Sequence, residues 1–168
     1  MRALLLVAVL TLPATSHALF SKKKTSFETY NEGVRLLRER KFVDAQAKFE
    51  EVLKRRKMAE AHNNLAYCLR KQGAKHFDEA LVHYNRAVQL RPELPEPYMY
   101  RGVLYVQLGR LEDARSDLAK LEALSAQLAV ELQWVIENGR EKEPERFFGV
   151  SGPLSVPKGT KPAGMLGE

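Results

Sequence analysis

Large apolar residues recur along most of the chain at intervals of three or four positions. Phe49, Val52 and Leu53 follow this spacing, as do Leu65 and Leu69 further along. Residues three or four apart lie on one face of an α-helix, so each run predicts an amphipathic helix with a buried face. No stretch alternates apolar and polar residues over a useful strand length. The pattern predicts an all-α protein.

Glycine and proline separate the predicted helices. Gly73 and Gly109 come directly after helical stretches, where glycine adopts a left-handed backbone at least cost. Pro92, Pro95 and Pro97 interrupt the pattern before the next stretch, because a residue that precedes proline disfavours the helical conformation. The chain is therefore expected to be a succession of short helices joined by turns.

One combination of residues occurs three times, at residues 42–45, 77–80 and 111–114. Each copy has a bulky apolar residue, two residues of which at least one is acidic, and then alanine. The alanines are 35 and 34 residues apart. A large apolar residue follows each alanine after four positions, and a small residue precedes it by 12 or 14 positions. This shared register predicts three copies of one helix–turn–helix unit.

The small residues of the repeat are expected to let neighbouring helices approach closely, because a larger side chain at the contact would push the helix axes apart. The large residues are expected to fill the core between the helices. The predicted packing positions are Gly33, Ala45, Phe49, Ala66, Ala80, Tyr84, Gly102 and Ala114.

These residues resemble the tetratricopeptide repeat (TPR), a unit of about 34 residues with the pattern W-x-x-L-G-x-x-Y, then A-x-x-x-F, then P. The third copy matches at Tyr98, Gly102 and Tyr105. The first copy departs from the pattern, since Thr29 stands where a large aromatic residue is usual and Lys57 where proline would close the unit. The resemblance implies a short right-handed superhelix of three TPR units with a C-terminal capping helix.

This interpretation divides the chain into seven segments. They are a signal peptide at 1–18, a basic linker at 19–25, repeats at 26–58, 59–94 and 95–125, a capping helix at 126–139, and a flexible tail containing Gly and Pro at 140–168. Trp134 is expected to pack in or beside the cap. Phe147 and Phe148 are the apolar exception in the tail, and either fold back onto the cap or form a short docking motif.

The first 18 residues have the composition of a secretory signal. Arg2 precedes an apolar run at residues 3–12, and Ser16 and Ala18 provide the small residues that signal peptidase recognises. A membrane-spanning helix needs about 20 apolar residues, so this run is too short to span. The sequence therefore predicts cleavage after Ala18 and an exported protein, periplasmic or secreted. A retained anchor is the alternative, because the three lysines at 22–24 oppose translocation.

Composition and charge narrow the function classes. The 168 residues are 45% hydrophobic and 29% charged, which excludes a collagen-like chain, a wholly disordered chain and a polytopic membrane protein. The net charge of +6 is unevenly placed, since residues 22–57 carry a net +6 and residues 93–145 a net −5. A polarised stack could self-associate head to tail through its basic and acidic ends. The alternative function is therefore that of a self-assembling structural protein, held together by weak head-to-tail contacts between basic and acidic ends.

Candidate catalytic and metal-binding residues are few. Cys68 is the one cysteine, so an intramolecular disulfide and a multi-cysteine zinc site are excluded. His62, His76 and His83 have no further His or Cys near them in sequence apart from Cys68. The chain has no Gly-rich phosphate loop, no G-x-S-x-G and no H-E-x-x-H motif. We expect no enzymatic activity, no cofactor, no metal and no binding of nucleic acid.

TPR arrays bind partners in a concave groove lined by the first helix of each unit. Carried onto this chain, the resemblance implies an apolar groove formed by Tyr30, Val34, Leu37, Arg38, Asn63, Tyr67, Arg70, Lys71, Met99, Val103, Val106 and Gln107. Chaperone-binding TPRs clamp a terminal carboxylate with Lys, Asn and Arg. Here Tyr30, Val34, Glu96 and Tyr100 occupy four of those places and only Asn64 matches, so carboxylate-clamp binding is not expected.

The function expected from the sequence is that of an exported, non-enzymatic interaction module. Its partner is a peptide or protein segment of unknown identity, bound in the groove. The module is expected to scaffold an envelope complex, with no integral membrane span after the signal is cleaved.

Overall fold

The computed structural model describes residues 24–143, 147 and 149–155. Within these residues the secondary structure is helical and contains no strand, which confirms the predicted all-α class. The helices are α1 (Ser26–Arg38), α2 (Phe42–Leu53), α3 (Ala59–Lys71), α4 (Phe77–Leu90), α5 (Glu96–Gln107), α6 (Leu111–Leu124) and α7 (Ala126–Asn138), with a short 3-10 turn at Ala74–His76 before α4. The predicted signal peptide and most of the basic linker lie outside the described residues.

Each helix packs against the next helix in the chain, so α1–α2, α3–α4 and α5–α6 form three consecutive pairs. The odd-numbered helices also contact one another, α1 with α3, α3 with α5 and α5 with α7. The helices are thus arranged in two rows, with α1, α3, α5 and α7 in the inner row. This arrangement is consistent with a TPR-like helical superhelix in which α7 covers the last pair.

Local interactions define where the helices begin and end. The Thr25 hydroxyl accepts the N–H of Glu28 at 3.2 Å, and the Glu28 carboxylate accepts the N–H of Thr25 at 2.7 Å. This reciprocal capping box satisfies two of the backbone donors that a helix start leaves unpaired. Ser125 caps α7 in a similar way by accepting the N–H of Leu128. Gly139 ends α7 with a φ of 68°, a left-handed conformation that favours glycine.

Small residues hold the helices at short distances. A Cβ atom added to Gly33 would lie 2.8 Å from the ring of Phe49, and one added to Gly102 would lie 2.5 Å from a methyl carbon of Leu132. Ala45, Ala80 and Ala114 are fully buried, as are Ala66 and the large packing residues Phe49 and Tyr84. The contacts α1–α2 and α5–α7 therefore depend on the absence of a larger side chain at Gly33 and Gly102.

Candidate functional site

The inner face of the stack is occupied by the chain's own C-terminal residues. Residues 149–155, called here the tail segment, lie across α5, α3 and α1 and contact side chains of all three helices. We call the surface beneath them, on α1, α3 and α5, the groove. The tail segment has no regular secondary structure, so its backbone N–H and C=O groups need partners outside itself.

Two asparagine side chains provide those partners. The Asn64 amide donates to the carbonyl oxygen of Ser151 at 2.8 Å, and its oxygen accepts the N–H of Ser151 at 2.9 Å. Asn31 does the same for Leu154, with distances of 2.7 and 2.8 Å. Each carboxamide thus pairs with both backbone groups of one residue, as a neighbouring strand would. Because backbone groups are common to all residues, this recognition is independent of side-chain identity.

Further hydrogen bonds surround the Ser151 backbone. Asn63 donates to the carbonyl oxygen of Gly149 at 2.9 Å and lies 3.1 Å from the Ser151 hydroxyl. The Tyr30 hydroxyl lies 3.1 Å from two tail carbonyl oxygens and accepts a bond from Asn64 at 3.0 Å. Burial, and then the nearby carboxylates Glu60 and Glu96, raise the pKa of Tyr30 above its ordinary value, so its hydroxyl remains a donor at neutral pH.

Aromatic rings form the floor of the groove beside Gly149. The rings of Tyr67 and Tyr100 are 4.7 Å apart, and that of Phe147 lies 6.1 Å from Tyr67. Gly149 sits against Tyr100 and Met99 so closely that an added Cβ would lie 2.7 Å from the Tyr100 ring. The tail can therefore follow this path only with glycine at position 149.

An ion pair between the buried Arg70 and the partly exposed Glu141 lies before the tail segment. Arg70 donates two hydrogen bonds to Glu141, at 2.8 and 3.0 Å, and its guanidinium stacks on Tyr67 and Tyr100. The Arg70 side chain is 1% exposed. Burial disfavours the charge on Glu141, but Arg70 and then Lys71 hold the pKa of its carboxyl below the ordinary value. Both groups are therefore charged at neutral pH and linked in a bidentate pair.

The structure gives the predicted groove residues different positions. Contacts with residues 141–155 are made by Tyr30, Asn63, Tyr67, Arg70, Lys71 and Met99. Val34, Leu37 and Val103 belong to the buried hydrophobic core, and Arg38 is exposed. Val106 and Gln107 line a cavity of about 280 Å³ beside Glu141, next to the occupied part of the groove. Partner binding by these residues stays a prediction.

Three residues of the groove are absent from the predicted set. Asn31, Asn64 and Tyr100 each lie two positions before the small residue of their unit, so they are equivalent in the repeat. Recurrence of asparagine at this position was the available signal. With Asn31, Asn63 and Asn64 at its centre, the groove is more polar than the apolar surface expected from the sequence.

The position of residues 149–155 differs from the flexible tail predicted for 140–168. Val150 and Ser151 are 8% and 2% exposed, and Leu154 packs against the core. The composition favours a loose chain when considered alone, but the asparagine side chains satisfy its backbone and the groove buries its apolar residues. The Phe147 ring lies 6.1 Å from that of Tyr67 in α3, and Phe147 packs against the core cluster, which includes Leu132 of the cap. Phe148 and residues 156–168 lie outside the described residues.

A pair of histidines lies between α3 and α4. The Nδ1 atoms of His62 and His83 are 2.8 Å apart and their rings stack at 5.1 Å. Burial, then the charges of His83 and Arg86, lower the pKa of His62 to about 4. Burial lowers the pKa of His83 as well. The two rings therefore share one hydrogen bond in their neutral forms.

The other candidate residues, Cys68 and Trp134, are packed within the fold. Cys68 is fully buried in α3, and burial raises the pKa of its thiol, so it has the properties of a packed side chain. Trp134 is partly buried against the core, with Arg140 and Lys142 over its ring. Within residues 24–143, 147 and 149–155 no three His, Cys, Asp or Glu side chains are grouped to hold a metal. In the same part of the chain, every helix is too short or too polar to cross a membrane.

Comparison with known proteins identifies part of the repeat. Residues 75–109 match the family model described as TPR repeat, which supports a TPR-family protein. The chain is also 45% identical over 42 residues to the UDP-N-acetylglucosamine–peptide N-acetylglucosaminyltransferase of Giardia intestinalis. That similarity covers 25% of this chain and 3% of the relative, so the chain spans a small fraction of the relative's length.

Replacing Asn64 with alanine is expected to release the tail segment. The change removes both hydrogen bonds to Ser151, each contributing about 0.5–1.5 kcal/mol. Amide hydrogen exchange at Ser151 and Leu154 should become about ten-fold faster or more, while core amides of α4 keep their protection. Asn138→Ala is the matched control, since the Asn138 amide donates to the Trp134 carbonyl within its own helix. Equal exchange at Ser151 in both variants would contradict the assignment.

The histidine pair predicts a loss of stability in mild acid. In the unfolded chain His62 takes up a proton near its ordinary pKa of 6.5, whereas the folded pKa is about 4. The unfolded state therefore binds more protons between these values, and the free energy of unfolding falls as pH drops from 6.5 towards 4. Since His62 is only half-buried, we expect about 1–2 kcal/mol. The free energy of unfolding, measured by urea denaturation at several pH values in this range, should change less with pH for His62→Gln than for the wild type. An identical dependence on pH in both proteins would refute the prediction.

Proposed function

We propose that this protein is an exported, non-enzymatic interaction module that binds an extended segment of a partner protein in the groove and scaffolds an envelope complex. One observation carries the proposal: Asn31 and Asn64 pair with the backbone N–H and C=O of residues in an extended segment. The tail segment is an example of what the groove can hold. A partner segment of similar conformation would present the same backbone groups.

The groove supplies each kind of contact that peptide recognition requires. Asparagine amides pair with the backbone, the Tyr67 and Tyr100 rings provide an apolar floor, and Arg70 holds a carboxylate. A cavity beside Val106 and Gln107 extends this surface beyond the tail segment. Three helices offer a small area, so we expect a transient contact of modest affinity.

Several observations favour binding over catalysis. The buried Cys68 thiol has a raised pKa, which disfavours the reactive thiolate. The His62 and His83 rings face each other within the helix packing. The similarity to the transferase covers 3% of that protein's length, so it gives no support for transferase activity in this chain.

Export rests on the sequence of residues 1–18, which lie outside the described residues. A short apolar run followed by small residues supports a cleaved signal. With the signal removed, residue 19 would be the first residue of the mature chain, and a scaffold in the envelope would follow from its location together with partner binding.

A photocrosslinking residue placed at Gln107 is expected to capture the partner in the source cells. Gln107 is exposed, accepts a hydrogen bond from Arg70 and lines the cavity beside Glu141, so a partner segment that extends from the groove along α5 would lie within reach. The control position is Val82, which is 65% exposed on α4 in the other row. Mass spectrometry of the envelope fraction should find an adduct at Gln107 that is absent at Val82. Failure to form any adduct at Gln107 would count against the proposed groove function.

Processing of the N-terminus is expected to remove residues 1–18. Intact-mass and N-terminal analysis of the protein from its source cells should give Leu19 as the first residue, in the periplasmic or extracellular fraction. Ala18→Arg should retain the leader, because signal peptidase reads a small residue at this position. An unprocessed chain in the cytosolic fraction would rule export out.

A further inference from the structure

We propose that the groove selects partner segments of the pattern Gly–aliphatic–Ser–x–x–aliphatic, and that residues 149–154 of the same chain are a built-in competitor carrying this pattern. This inference rests on the proposed function, because it names the class of segment that the groove accepts. It is drawn from the fit of each tail residue against the helices beneath it.

Glycine is required at the first position by the absence of space. A Cβ at Gly149 would lie 2.7 and 2.9 Å from two ring carbons of Tyr100 and 3.0 Å from Cγ of Met99. Tyr100 and Met99 are 3% and 5% exposed, so neither can move aside without disturbing the core. Gly152 is different, since a Cβ there would have no atom within 4 Å. The groove thus distinguishes two glycines three residues apart in the same segment.

The next positions are selected by burial and hydrogen bonding. Val150 lies in the hydrophobic core cluster, so an aliphatic side chain fits there. Ser151 is 2% exposed and its hydroxyl lies 3.1 Å from the Asn63 amide, which favours a small polar side chain. Leu154 is partly buried against the core, while Pro153 and Ser155 are exposed. Open space at Gly152 and exposure of Pro153 leave these two positions of the pattern open to any residue that keeps an extended backbone.

The tail competes with a partner from within the molecule. Residue 149 follows the end of α7 by 11 residues, and a short covalent connection gives a local concentration of about millimolar. Glu141 also ties the start of this connection to the buried Arg70. A partner in solution therefore binds only the fraction of molecules whose groove is free, and its measured affinity is lowered by that fraction.

The test uses the full chain and a fluorescent peptide with the sequence of residues 147–155, with binding measured by anisotropy. The chain variants are Gly149→Ala, which should free the groove, and Gly152→Ala, the matched control in open space. We expect the Gly149→Ala chain to bind the peptide at least about ten-fold more tightly than the wild-type chain does. The Gly152→Ala chain should bind like the wild type. Equal affinity of all three chains would overturn the competition.

Peptide variants test the selection separately. With the Gly149→Ala chain as receptor, a peptide with alanine at the place of Gly149 should bind at least about ten-fold more weakly than the unchanged peptide. A peptide with alanine at the place of Gly152 should retain its affinity. Equal affinity of the two variant peptides would refute the requirement for glycine, and absence of binding to every chain would refute the whole inference.

Two further measurements distinguish this inference from binding of the tail in a second copy and from failure of the proposed function. Sedimentation should show a monomer for the wild-type chain, and a dimer that dissociates on Gly149→Ala would place the tail in a second copy and overturn competition within one molecule. Failure of the proposed function would appear as a missing Gln107 adduct in cells even if the peptide binds in solution. Failure of this inference would appear as a Gln107 adduct in cells together with equal binding of the peptides that have glycine or alanine at the place of Gly149.

Discussion

The close approach of neighbouring helices at small residues is the constraint from which the groove follows. Gly33 admits the Phe49 ring and Gly102 admits Leu132, and no side chain with a Cβ would leave those distances unchanged. Because a small residue recurs at the same repeat position, as Gly33, Ala66 and Gly102, equivalent residues of α1, α3 and α5 lie on the same face. Asn31, Asn64 and Tyr100 are such equivalents, and the tail segment meets them one after another.

The groove provides hydrogen-bond partners for the backbone of the buried tail segment. Backbone groups removed from water need hydrogen-bond partners, and a segment outside helix or sheet cannot supply them itself. Here Asn31 and Asn64 take the place of a neighbouring strand, because each pairs with both the N–H and the C=O of one tail residue. In the third unit Tyr100 replaces the asparagine and packs against Gly149 instead. One helix position thus serves for hydrogen bonding in two units and for steric selection in the third.

Much of the fold could be predicted from the sequence because the relevant signals are local or periodic. The spacing of Phe49, Val52 and Leu53 predicts a helix, and the recurring Ala45, Ala80 and Ala114 reveal the repeat. The tail could not be predicted in this way, since its order depends on contacts with residues about 90 to 120 positions earlier. The groove is more polar than the sequence predicts because the amides of Asn31 and Asn64 pair with a backbone that lies far from them in sequence.

The pair of Arg70 and Glu141 has a consequence for the influence of salt. Dissolved ions weaken attraction between charges that face water, as in the exposed pair of Arg115 and Glu112 on α6. The Arg70 guanidinium is excluded from water and covered by the rings of Tyr67 and Tyr100, so counterions have little access to it. The contact between Glu141 and Arg70 therefore persists at ionic strengths that weaken exposed ion pairs such as that of Arg115 and Glu112.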